Sequence, residues 1–494
     1  MKRCPAIIRI LLTGLFTAQI IATLHVHLSN AKLFRLLESL SEQGYLIVPN
    51  ERVMSRLPGL DTAFFGALFY TLTVGAGITL FSLAALWVWD RVLFRRKSAL
   101  AAGGLLWAAL LTALNLKGFS PIVTSYFVFI PAVVFIAALR WMPSRRKDIS
   151  AAWELIPGVP LVLLALLWSF FMTGTLFLDI RDSMLLSNPV GSGINDFYYR
   201  YTLYPAETFK SLHQKQLRSC NLDAVEDPLL RHRLENSLRR HDYLAIKSTD
   251  ADLMIAGGET ELTFVVGDRN ILRADTDDFF SSPADILKQV SSKSDAYHLF
   301  RRITFFSLLI GFPVLLYIIL YVLLLRVLAL FMEQKKASVA ALALCLVLGI
   351  VLFIPFRNVG KVQITKQTIA ASLASPRWQE RVAALKFIHD EKLEIGRFPS
   401  YRLIMTDPSV PGRYWLAYTL ARSTRPETGA DLLKLLDDSH PNVVCKAYEA
   451  LGKRGNRKFI PLIVERIKDS DHWYCQWYAY KALRALGWIQ PKST

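Results

Sequence analysis

Seven stretches of this chain are apolar for about as long as a hydrocarbon layer is thick, which for a helix means about 20 residues. They fall at 5–24, 63–89, 100–116, 122–139, 156–178, 303–325 and 337–354. No soluble fold tolerates so many uninterrupted apolar runs. The composition agrees: 53% hydrophobic and 20% charged residues, against about 45–50% and about 25% in soluble domains. Disorder, a collagen-like fibre and a disulfide-stapled mini-domain are excluded on the same ground. The reading is a multi-span α-helical membrane protein. Five helices precede residue 179 and two fall within 301–356, the third and fourth forming a hairpin around Asn115–Pro121.

Direction follows from Lys and Arg in the short loops. With the N-terminus inside, the inner segments hold twelve: Lys2, Arg3, Arg91, Arg95, Arg96, Lys97, Arg140, Arg145, Arg146, Lys147, Lys335 and Lys336. The short outer loops hold five: Lys32, Arg35, Arg52, Arg56 and Lys117. Arg301 and Arg302 oppose the rule but border a long domain, where it has little force. An odd number of spans then puts the C-terminus outside, which suits a bacterial inner membrane with periplasmic soluble parts. Lys2 and Arg3 before an apolar run also fit a signal peptide. Only the weak site Ser29-Asn30-Ala31 follows, so the first span is expected to remain as an anchor. No Asp, Glu or Lys sits in the middle of a span, which counts against an ion pathway or proton-coupled carrier.

The net charge of +18 is unevenly spread: −4 over 180–300, +9 over 361–494, and +13 in the remainder, mostly membrane flanks. The basicity is therefore largely topological and is no sign of nucleic-acid binding. Residues 180–300 are long enough to fold alone. A Gly/Ser/Asn turn is expected at 187–195, and helices at 214–220 and 227–240. Short β-type runs follow at 243–247, 252–256, 261–266 and 271–274 with Gly257-Gly258 and Gly267-Asp268 as turns. A helix starts at Ser282-Pro283. This predicts an extracytoplasmic α+β insertion domain with an antiparallel sheet. Its aromatic run Tyr198, Tyr199, Tyr201 and Tyr204 suits the headgroup layer just past a span, with ring stacking on a sugar or quinone as the functional alternative. Asp179, Arg181, Asp182 and Asp196 stand where a membrane enzyme acting on a lipid-linked substrate would keep acid–base or metal-binding groups; equally, they are solvated polar residues at a span exit.

The last quarter is periodic. Asp407-Pro408, Asp438-Ser439 and Asp469-Ser470 are spaced by 31 residues, with Ser375-Pro376 another 31 or 32 upstream. Each is followed by an Ala/Leu-rich helical stretch ending in Leu385, Leu420, Leu451 or Leu483, and second helices lie between, as at 429–436 and 460–468. A period in the low thirties with two helices per unit means a solenoid whose units must stack to bury their apolar stripes. Asp or Ser before each unit is expected to cap its helix. Over 364–489 the pattern resembles short HEAT-like repeats of the kind found in phycobilisome-lyase-type proteins. The resemblance rests on Asp438-Ser-His-Pro-Asn-Val-Val-Cys-Lys-Ala-Tyr-Glu-Ala-Leu-Gly452 and on 469–487. The latter departs by a short insertion and high aromatic content. The resemblance implies an α-solenoid of about four repeats that presents a protein-binding surface. Lys453, Arg454, Arg457 and Lys458 form a basic turn, and Trp473 and Trp477 lie in an aromatic last unit. These are the partner-binding candidates, set against plain solvation for the turn and cap packing for the aromatics.

The cysteines are Cys4, Cys220, Cys345, Cys445 and Cys475. Cys445 and Cys475 lie one repeat apart, and a disulfide between them would need a favourable pair of helix faces. His25 and His27 at the outer end of the first span are a metal or haem candidate lacking a local third ligand. No P-loop, GxSxG, HExxH, CxxC or strand-linked GxGxxG occurs, so no cofactor is expected. The expectation is a membrane scaffold or complex-assembly protein that binds a partner through its repeats. The alternative is a membrane enzyme using the carboxylates at the exit of the fifth span; a haem- or quinone-associated subunit is a weaker third.

Overall fold

The computed structural model describes residues 3–142, 156–170, 174–248, 250–354 and 363–491. The side chain of Cys4 and the basic residues Arg145, Arg146 and Lys147 lie outside that set. Among the described residues six helices are long and apolar enough to cross a membrane: Ala6–Glu42, Leu60–Arg91, Lys97–Asn115, Pro121–Trp141, His298–Leu328 and Gln334–Val351. The run at 156–178 differs from the sequence expectation of a single span. Pro157 and Gly158 sit in a 3-10 turn, so regular helix starts only at Val159 and ends at Ser169. A short helix Leu176–Ile180 and a π-helical turn Arg181–Leu185 follow.

These long apolar helices are built inside out. On the first helix Phe16, Ile20, Leu24 and Leu28 are each more than half exposed, whereas Ala18, Ala22 and Val26 are completely buried. Small residues on the inner stripe let neighbouring backbones approach, because bulky apolar side chains gain little from leaving lipid. Gly77 shows the limit: a Cβ there would lie 2.2 Å from Ser307 Oγ, and a Cβ added at Gly311 would lie 3.2 Å from the Gly77 Cα. These glycines flank two π-helical turns, Thr71–Gly75 and Ser307–Gly311, that touch one another. The first helix runs past the expected 5–24 span to Glu42, since nothing breaks it before Gly44. Gly44 takes a left-handed conformation (φ 74°) and Tyr45 N donates to Leu40 O at 3.1 Å, closing the end in the manner glycine permits.

The insertion domain holds one mixed five-stranded sheet in the order β2-β1-β3-β4-β5. Its strands are β1 Arg218–Asn221, β2 Tyr243–Ala245, β3 Leu253–Gly257, β4 Glu261–Val266 and β5 Arg269–Asp275. β1 runs parallel to both β2 and β3, and the remaining pairs are antiparallel. Two expectations fail here. The sheet is not wholly antiparallel, because the end of the segment at 214–220, expected to be helical, enters strand β1, which lies between β2 and β3. The helix Pro228–Arg239 then returns the chain to β2, a crossover that parallel pairing requires. Leu234, Leu238, Leu253, Ile255, Leu262, Phe264 and Phe279 are fully buried in this domain's own core. The turn expected at 187–195 is mostly helix Pro189–Tyr201, capped by Asn188, whose side chain accepts from Gly191 N at 2.8 Å.

The C-terminal part is a solenoid. Its first helices are Trp378–Asp390, Val410–Leu420, Pro441–Arg454 and Trp473–Ala485. Between them lie a 3-10 stretch Pro399–Thr406 and the helices Pro426–Lys434 and Ile460–Asp469. The four periodic leucines Leu385, Leu420, Leu451 and Leu483 are fully buried at the seams. The repeat aspartates do not cap these helices as expected. Ser409 and His440 do, accepting from Gly412 N and Asn442 N. Asp407 and Asp438 instead accept from the amides of Ser409 and His440 and pair across the seam with Arg381 and Arg413 of the preceding repeat. Asp469 breaks that ladder: its side chain is 71% exposed. The solenoid core is continuous with that of the first membrane helices.

Candidate functional site: the seat of the solenoid

The carboxylates singled out at the span exit are brought against the first-helix face of the solenoid. The π-helical turn Arg181–Leu185 turns Arg181 and Asp182 inward. Asp182 Oδ1 accepts from Arg181 Nε (2.9 Å) and Nη2 (2.6 Å), and its Oδ2 accepts from the Trp415 indole Nε1–H at 2.7 Å. The Arg181 guanidinium also lies 3.7 Å from the centre of the Tyr414 ring, a cation–π contact in a water-poor setting. Burial disfavours the charge on Arg181, but the Asp182 carboxylate and Tyr414 more than offset it and raise its pKa. Asp179 accepts from Thr175 Oγ1 at 2.8 Å and lies 3.6 Å from Lys386 Nζ. Asp196 Oδ1 is 3.3 Å from His440 Nε2, without the alignment of a hydrogen bond. His440 titrates below its ordinary value, first because it is buried and further because Arg413 and Arg181 are near; Asp196 and Asp438 oppose the shift.

Much of the aromatic run packs against other parts of the chain, while Tyr198 is exposed. Tyr199 packs edge-on against Tyr474 (4.7 Å between ring centres), Tyr204 against Trp473 (5.1 Å), and Tyr201 against Phe65 of the second membrane helix (5.2 Å). Trp473 is thus buried on its own chain. Trp477 accepts from Gln216 Nε2 through its carbonyl (3.0 Å) and carries Lys481 over its ring. The insertion domain joins the same seat. Tyr480 Oη–H donates to Asp242 Oδ1 at 2.8 Å and Arg484 Nε lies 3.0 Å from Asp242 Oδ2. Burial still pushes the Asp242 carboxyl above its usual range despite Arg484.

Sequence reasoning missed the tightest part of the seat. Asn50, in the loop after the first span, sends its amide Nδ2 to the carbonyls of Ile467 (2.9 Å), Lys468 (2.9 Å) and Ser470 (2.8 Å). Its own N–H donates to Gln476 Oε1 at 2.9 Å. Leu46 and Gln490 exchange two more bonds, 3.0 and 2.7 Å. Asn50 fills the junction at which the Asp–Arg ladder lapses. The one signal in the sequence was that lapse, since no arginine of the third repeat corresponds to Arg381 and Arg413.

The other candidates scatter. His25 and His27, two residues apart on one helix, point about 200° apart around its axis. His25 packs edge-on to Phe209 (4.5 Å between ring centres). Among the described residues no group of three or more His, Cys, Asp or Glu gathers as a metal site would require. Cys445 and Cys475 are free thiols with 3.9 Å between their Sγ atoms, the Cys445 S–H donating, so the disulfide is not formed. That hydrogen bond, with help from His472 and against burial, draws Cys475 down to about 6. The basic turn divides. Lys453 and Arg454 line a cavity on the outer edge of the solenoid, whereas Arg457 and Lys458 are exposed beside it.

The geometry is that of stacked helical hairpins, and the comparison with known families agrees: a family model described as HEAT repeats matches residues 401–484. The C-terminal part therefore carries HEAT repeats. No curated protein and no solved structure matches the chain. HEAT repeats in general mediate protein–protein contact, and the apolar helices are compatible with membrane association.

Proposed function

We propose that this protein is a multi-pass membrane scaffold that holds a HEAT solenoid rigidly on the extracytoplasmic side of a bacterial inner membrane and presents it to a partner protein. One observation carries the reading: the first-helix face of the solenoid is filled by its own chain, through Asn50, Asp182, Asp196, Tyr204 and Asp242, so the array is braced and its loop edge remains for a partner. Asp179, Asp182 and Asp196 are engaged by solenoid side chains, which favours bracing over the enzymatic alternative.

The side assignment has support from contacts as well as from Lys/Arg bias. The loop holding Asn50, the Asn115–Pro121 turn and the insertion domain all meet one another or the solenoid: Lys117 Nζ donates to Ser292 O at 3.1 Å, and Asn50 binds the last repeat. Segments in contact share a side. The Pro121–Trp141 helix leads away from that side and the insertion domain lies on it; in this reading the 156–178 run returns the chain despite its short helix. Seven crossings satisfy every contact. The test is crosslinking of the intact protein in its native membrane, followed by purification in mild detergent. A stoichiometric protein partner is expected. Its absence, together with a reporter at the C-terminus active only in the cytosol, would end the reading.

A further inference from the structure

The basic turn leads to a site on the free edge of the solenoid. A cavity of about 900 Å3 opens where the C-terminal ends of three successive first helices meet. Its cationic lining is Lys392 from the first repeat, Arg422 from the second, and Lys453 and Arg454 from the third, with the His389 imidazole beside them. Ser423 and Thr424 also line it, their hydroxyls bonded to Glu394 just outside the lining, and no Asp or Glu is among the described residues that line it. His389 titrates below its ordinary value, first by burial and then through Arg422, with Lys453 and Lys446 adding to the shift and Asp390 opposing it.

Cations at helix C-termini are expected in part, because they complement the exposed carbonyls. That accounts for Arg454, which donates to Leu420 O, Arg425 O and Thr428 Oγ1, and for one bond from Arg422 to His389 O. It does not account for three repeats turning their cations into one cavity. Lys453, half exposed at 51%, meets Glu449 outside the lining, and Lys392 is exposed. Packed helices stand about 8–10 Å apart, and an extended peptide rises about 3.3 Å per residue. One repeat therefore corresponds to about three residues of an extended chain. The whole C-terminal region is basic, at +9 over 361–494.

We propose that this cavity receives an extended acidic segment of the partner protein, with a carboxylate at roughly every third residue engaging Lys392, Arg422 and Lys453 in turn. This rests on the scaffold reading and specifies its partner's chemistry.

The probe is fluorescein-labelled decaglutamate, titrated by anisotropy onto the full chain in nanodiscs of uncharged lipid. Binding is expected, with about tenfold or greater loss in the double variant Arg422→Glu/Lys453→Glu. It should also weaken markedly between about 50 and about 300 mM salt. Arg454 is left intact because it holds the fold. Should the double variant lose its thermal transition, Lys392→Glu, on an exposed loop, carries the same expectation at smaller size. Equal affinity of folded variant and parent, binding of decaglutamine as tight as that of decaglutamate, or complete displacement by inorganic pyrophosphate at matched charge would each overturn the proposal. A partner that still crosslinks to the charge-reversed protein would overturn the cavity and leave the scaffold standing; no partner with either protein would remove the scaffold itself.

Discussion

Removing the Asp182 carboxylate should unseat the solenoid, and the size of the effect separates a brace from a catalytic group. Asp182 is 3% exposed and Arg181 8%. In Asp182→Ala the guanidinium keeps the Tyr414 ring but loses both charge-assisted bonds, and the Trp415 N–H loses its acceptor. Breaking one side of a buried ion pair costs about 3–5 kcal/mol, because the remaining charge stays desolvated. At about 1.4 kcal/mol per decade, the docked state should lose a factor of roughly 100 to 3000 relative to the undocked one. The assay is hydrogen exchange of the Val410–Leu420 helix in detergent, read beside an insertion-domain strand such as β4 as internal control. Protection should collapse in the helix and persist in the strand. Adding Arg181→Met removes the orphaned charge, so the double variant should recover most of the loss; a double-mutant cycle isolates the coupling. A change below about 0.5 kcal/mol in the single variant, the range of an exposed pair, would refute the brace.

Asn50→Ala strips three carbonyls of their donor and should cost about 2–4 kcal/mol, visible as faster exchange over 467–476; Asn50→Asp, which turns an acceptor toward those carbonyls, should be worse. His440 has a lowered pKa when docked. Below about pH 6.5 the undocked form therefore binds a proton that the docked form refuses, and stability falls as pH drops through that value. His440→Gln should flatten the slope between about pH 7 and about pH 5 in thermal melts. If the parent melts identically across that range, the burial argument for His440 fails. At Gly191 a Cβ would sit 2.4 Å from the carbonyl oxygens of Met184 and Leu185, whereas at Gly193 nothing lies within 4 Å. Gly191→Ala should therefore destabilise by about 1–3 kcal/mol, and Gly193→Ala should be neutral or gain up to about 1 kcal/mol; equal melting shifts would contradict the packing at 184–191.

Part of this architecture was legible without coordinates because it rests on local, periodic chemistry. Runs of about 20 apolar residues, leucines recurring at Leu385, Leu420, Leu451 and Leu483, and turn glycines such as Gly257 each need only their near neighbours to be read. Where strong local signals conflicted with a distant partner, the reading went astray. Residues 214–220 look helical in isolation, yet 218–220 pair as part of β1 because β2 and β3 lie on either side. Gly191 and Gly193 look like a turn, yet Asn188 caps a helix through them.

What the chain alone determined is its class: helices long and apolar enough to span a membrane, an inserted α+β segment and stacked helical repeats, each specified by composition and period. What only the tertiary structure decided is how the pieces meet. Asp182 finds Trp415 across 233 residues and Asn50 finds Ile467 across 417, separations over which no pattern in the sequence carries a signal. A polar residue at a span exit looks the same whether it faces water, a substrate or another part of its own chain. Only burial and a partner within hydrogen-bond reach distinguish the three, and those are properties of the folded molecule.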